Sequence, residues 1–76
     1  MTITGEQVRA ARELLGWTRK TLARKCKPGE TTIRNFENGA RRPSPFNVLA
    51  IRRALETAGI EFDDIGHGVR IREENP

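Results

Sequence analysis

The chain has 76 residues, 36% of them hydrophobic, and a formal net charge of +4. That length supports one domain burying only about 60% of its unfolded surface, too little to build an enclosed catalytic cleft with its own supporting shell. No apolar stretch approaches the roughly 20 residues needed to cross a membrane and no signal-peptide pattern is present. The lone Cys26 excludes an internal disulfide, so a reducing cytoplasm is the expected setting.

The first helix opens with a capping box, Thr4 with Gln7, and continues through Val8, Ala11, Leu14 and Leu15 at helical spacing. Gly16 is placed to stop it. Trp17 follows as a large apolar anchor, read as a core or interhelix residue. Thr18 caps a second, short helix to about Cys26, with Leu22, Ala23 and Cys26 facing inward. Lys27-Pro28-Gly29 is the break, because proline and glycine suit a tight corner. A third helix runs from Gly29 or Glu30 to Asn38, closed by Gly39, with Ile33 and Phe36 as its apolar stripe.

Ser44-Pro45 then pairs an N-cap with a proline at the first helical position. The helix it starts extends to about Ala58, buries Val48, Leu49, Ile51 and Leu55, and ends at Gly59. Beyond it the pattern changes to alternation. Ile60 and Phe62 alternate with acidic residues, Val69 and Ile71 with arginines, and the turn-forming stretch 63–68 lies between them. The spacing predicts a β-hairpin over 60–72. The division expected is a domain at 1–59 and a C-terminal hairpin or tail at 60–76.

Charge follows the same division. Residues 1–55 hold 12 Lys and Arg against 4 acidic residues, and residues 56–76 hold 2 against 6. A basic body with an acidic tail suits a polyanionic partner for the first part. Within that body lie two short helices, a tight turn, the small Ala23 where the helices cross, and Ile33 with Phe36 as anchors. Those are the parts of a helix-turn-helix.

The residues Trp17-Thr18-Arg19, Leu22-Ala23, Thr32-Ile33, Phe36-Glu37-Asn38-Gly39 and Pro43, with the Leu49–Leu55 helix, resemble the lambda-repressor-like, Cro/C1-type (XRE) helix-turn-helix family over about 5–58. The resemblance implies a mainly α fold, a compact bundle of four to five helices that reads operator DNA, usually as a dimer on a palindrome. It also implies that Glu37 ties the recognition helix to a nearby arginine. Three positions depart from the family pattern. Arg19 stands where glutamine is usual, Lys27 where glycine is usual, and Pro28-Gly29 replaces a common Val-Ser pair. A left-handed Lys27 would cost roughly 1 kcal/mol or more unless the turn differs.

At about 100° per residue, Thr31, Arg34, Asn35 and Asn38 point away from Ile33 and Phe36. These side chains are equipped to read bases: arginine pairs with guanine, asparagine with adenine, and a threonine methyl meets thymine. Glu30 lies nearer the edge, where it either accepts from cytosine or favours the helix N-terminus. Thr18, Arg19 and Lys20, at the start of the second helix, are the candidate phosphate contacts on one flank. Arg41 and Arg42, in the loop after the third helix, are those on the other. Arg52 and Arg53 read as ordinary helix-surface residues.

Ile60, Phe62, Val69 and Ile71 of the hairpin are the candidate dimerisation residues, through an edge strand that pairs with a second copy. A wing on DNA and an apolar flap over the core are the other two readings. The expected function is a sequence-specific transcriptional regulator, a homodimer on double-stranded DNA, with no cofactor, metal or small-molecule ligand. The alternative is an antitoxin or other protein-interaction module. No enzyme is expected: His67 is the single histidine, and no acid pair or metal-ligand spacing occurs.

Overall fold

The computed structural model describes residues 3–63 and 68–72. Its elements are α1 (Gly5–Leu15), α2 (Arg19–Lys25), α3 (Glu30–Glu37), α4 (Pro45–Thr57), β1 (Ile60–Phe62) and β2 (Val69–Ile71).

Local chemistry sets most helix ends. Thr4 Oγ1 accepts from the Gln7 amide at 3.1 Å, while Gln7 Oε1 accepts from the Thr4 amide at 2.9 Å. Gly16 closes α1 in the left-handed region, at φ 70°, where a Cβ would be strained. Thr18 caps α2 by accepting from the Thr21 amide, and Ser44 caps α4 by accepting from the Asn47 amide ahead of Pro45. α3 has no side-chain cap, because its N-cap is Gly29.

The turn between α2 and α3 begins and ends in extended backbone. The chain leaves α2 through Cys26 in extended backbone, at φ −145° and ψ 169°, and re-enters a helix from an extended Gly29. The path therefore differs from an exit through a left-handed residue directly after the helix. Pro28 is buried in this corner.

Each helix turns an apolar stripe to one core of Ile3, Val8, Ala11, Leu22, Ile33, Phe36, Val48, Ile51, Leu55 and Ile60, with Leu15, Trp17, Ala23 and Cys26 packed against it. Each fully buried Leu or Ile stabilises by roughly 1.5–3 kcal/mol relative to its exposed state. Leu49 corrects an expectation: it is 44% exposed. Val48, Ile51 and Leu55 fill the inner stripe of α4, and Leu49 stands about 100° round the helix from Val48.

One contact was invisible to periodicity. α1 starts so close to the end of α3 that a Cβ on Gly5 would collide with the Phe36 carbonyl oxygen.

The hairpin is antiparallel, pairing Ile60 with Ile71, Glu61 with Arg70 and Phe62 with Val69. Directly paired residues share a face, so all four apolar side chains lie on one side and the Glu61–Arg70 ion pair, at 2.8 Å, on the other. The apolar side is turned to the helices: Ile60 is 1% exposed, and Phe62 and Val69 pack against the core. Gln7 fastens the hairpin to α1, its Nε2 donating to the carbonyls of Asp63 and Gly68 at 3.2 and 3.1 Å. The Arg52 guanidinium lies over the Phe62 ring. His67 lies outside the described residues.

Candidate nucleic-acid interface

α3 is amphipathic with three buried residues: Ile33 and Phe36, which enter the core, and Glu37, which closes the helix. Thr31, Arg34 and Asn38 are exposed and Asn35 is half-buried. Asn38 is the C-cap rather than a helical residue, and its amide donates to the Arg34 carbonyl. The chain then reverses at Gly39, φ 73°, and the amides of Ala40 and Arg41 both donate to the Asn35 carbonyl, at 2.9 and 3.3 Å. This fold-back lays the basic loop beside the exposed face of α3.

Between them runs a groove of about 400 Å³. Thr31, Thr32 and Asn35 form one wall, and Arg41, Arg42 and Asn47 stand on the other. Arg34 and Asn38 lie on the same helix end but outside this groove. Sequence reasoning missed Asn47 and Thr32. The signal for Asn47 was its place in the first turn of α4, directly after the arginine loop.

The two loop arginines differ. Arg41 is exposed. Arg42 stacks on Phe36, 5.4 Å from the ring centroid, and donates through Nη2 to the Ile3 carbonyl at 3.2 Å. Its guanidinium is thus oriented by the fold, and part of its donor capacity is already used.

On the other flank, Thr18 and Lys20 are exposed at the start of α2, although the Thr18 hydroxyl is occupied as the helix cap. Arg19 is half-buried. Its Nε donates to Glu37 Oε1 at 3.0 Å. Glu37 also takes a two-pronged contact from Arg12, Nε to Oε2 at 2.7 Å and Nη2 to Oε1 at 2.9 Å. Arg12 Nη1 continues to the Trp17 carbonyl at 2.9 Å. The bond to Glu37 pushes the Arg12 pKa above its ordinary value and outweighs the opposing effect of burial. One carboxylate at the end of α3 therefore ties that helix to α1 and to the start of α2. Two arginines thus share one carboxylate, a local surplus of one positive charge.

The four apolar hairpin residues differ in exposure. Of Ile60, Phe62, Val69 and Ile71, only Ile71 is substantially exposed, at 46%. The other three serve the chain's own core in whole or part, which is the arrangement of the flap reading.

Two short helices packed on each other, with a short turn between them and a polar face flanked by cations, define a helix-turn-helix DNA-binding domain. The chain belongs to the Cro/C1-type (XRE) helix-turn-helix family, whose model, described as helix-turn-helix, matches residues 8–62. The match reaches through the first hairpin strand. It makes the chain a DNA-binding regulator of the XRE type. Among curated proteins, none matches the chain. No helix among the described residues is long and apolar enough to cross a membrane.

Proposed function

We propose that the chain is a sequence-specific transcriptional regulator that binds a palindromic operator as a homodimer, with α3 in the major groove. The observation that carries this reading is the side of α3 away from the core, which presents Thr31, Arg34, Asn35 and Asn38, with Thr31 and Asn35 lining a groove shared with the arginine loop. Those four read base edges. Thr18, Arg19, Lys20, Arg41 and Arg42 hold phosphates on either side and fix the register. Arg19 does so with the donors that Glu37 leaves free, and Arg42 from a position set by Phe36.

The homodimer part of the reading rests on the hairpin. Its side chains are mostly turned inward, so a second copy would meet the strand edges and Ile71. Sedimentation of the full chain tests this with Ile71→Asp. An unchanged dimer refutes the hairpin contact.

The DNA reading is tested by binding to DNA from upstream of the chain's own gene, against unrelated DNA, over a series of salt concentrations. Specific binding should exceed non-specific binding by roughly 10³-fold or more. Equal and equally salt-dependent affinity for both would refute sequence-specific regulation.

A second reading, a protein-interaction module such as an antitoxin, is supported by exposed apolar surface on α4. Phe46 is 73% exposed and Leu49 stands one turn further on the same side.

A further inference from the structure

Away from the α3 face lies a second concavity, a groove of about 530 Å³ between the end of α2 and the C-terminal half of α4. Its floor is apolar. Trp17 and Cys26 form one side, and Ala50 and Ala54 of α4 with its C-cap Ala58, spaced four apart, form the other. Lys25 and Arg53, both exposed, stand on the rim, and no acidic side chain among the described residues lines it. Lys25 Nζ sits 5.5 Å from the Trp17 ring centroid, so the cation is held beside the apolar floor. α2 carries Thr18 and Lys20 at one end and this groove at the other, about 10 Å along the helix.

We propose that this groove is a docking site for an amphipathic helix of another protein, one with a narrow apolar ridge flanked by carboxylates. Small residues repeating every four positions leave a channel along α4 into which the ridge of a second helix packs, with axes about 8–10 Å apart. Trp17 is the kind of large, rigid side chain that anchors such contacts. Lys25 and Arg53 select the sign of the flanks, because carboxylates complete ion pairs there and cations meet like charge.

A second copy of this chain fits less well. Its exposed apolar pair, Phe46 and Leu49, shares a side of α4 with Arg53 and would bring cations against cations. The proposal is independent of the DNA reading, since none of the candidate DNA contacts lines the groove.

Trp17 is the only tryptophan in the chain, so its fluorescence reports the groove directly. The probes are two synthetic helical peptides with the same leucine ridge, one flanked by Glu and the other by Lys, titrated into the full chain. The Glu-flanked peptide should shift Trp17 emission saturably and bind at least about tenfold more tightly than the Lys-flanked one. The double variant Lys25→Glu with Arg53→Glu, at two exposed positions, should reverse that order. No saturable shift with the Glu-flanked peptide, equal affinity for both peptides, or an order unmoved by charge reversal overturns the proposal. A Trp17 shift that follows protein concentration alone makes a second copy the occupant, and overturns it too.

Discussion

Arg12 of α1 and Glu37 of α3, 25 residues apart in sequence, meet in a two-pronged ion pair at 2.7 and 2.9 Å. The Glu37 side chain is fully buried and that of Arg12 is 11% exposed. Their mutual attraction offsets the cost of taking both charges out of water, so removing one partner leaves the other uncompensated. Glu37→Ala should therefore cost about 3–5 kcal/mol in urea unfolding, a large share of the stability of so small a domain. Arg19→Ala, which removes the outer and more exposed of the two pairs, should cost no more than about 1 kcal/mol. Equal losses in the two variants would contradict this division between a structural pair and a peripheral one.

At Gly5 the backbones of α1 and α3 leave no room for a side chain. Gly5→Ala places a methyl group against backbone at Phe36, which has no rotamer through which to yield. The cost should be about 1–3 kcal/mol or more by thermal unfolding. In a solvent-exposed helix the same change would stabilise, so a raised Tm would show that the helices are not this close.

Gly29 presents the opposite case. It caps α3 in extended backbone at φ −78°, and a Cβ there would meet nothing within 4 Å. Gly29→Ser adds a capping hydroxyl and restricts the unfolded chain, for a gain of about 0.5–1 kcal/mol and a Tm several degrees higher. An unchanged or lower Tm would mean that the backbone at 29 requires glycine.

Burial pushes the Cys26 thiol up from its ordinary pKa, and its Sγ donates to the Leu22 carbonyl at 3.3 Å. The thiolate is the reactive form, so alkylation of the folded chain at neutral pH should be slower than that of the chain unfolded in urea. Because the folded pKa lies above the unfolded one, the stabilising contribution is full below the ordinary thiol range. It is lost as the pH rises through the raised value. Rates that are equal in the two states across this range would contradict the burial.

The parts of this structure legible in the sequence are those fixed by near neighbours. Thr4 with Gln7, Gly16 and Ser44-Pro45 mark helix ends through contacts within four residues, and all three act as read. Ile33 and Phe36 follow from helical period, which also turns Thr31, Arg34 and Asn38 outward.

What was missed depends on contacts between distant segments. Leu49 has the composition of a core residue, but the stripe of Val48, Ile51 and Leu55 already fills the inner face of α4. The second role of Gln7, holding carbonyls of Asp63 and Gly68, needs the hairpin to be docked before it exists. An alternating pattern shows that Ile60, Phe62, Val69 and Ile71 share a face. It does not show whether that face meets this chain or another. The place of Arg19 at a helix start suggests a phosphate contact but not its bond to Glu37, which arises only when α2 and α3 are brought together.

The central claim, that the exposed face of α3 reads bases, is tested most directly at Asn35. This residue is uncharged, so Asn35→Ala leaves the electrostatics of the interface alone. Binding should be measured on the preferred site and on its single-base variants, at several salt concentrations. The account predicts a loss of discrimination of about 1–3 kcal/mol confined to one or two base pairs, with the salt dependence unchanged. Discrimination retained at every position, or an equal loss on every sequence, would contradict it.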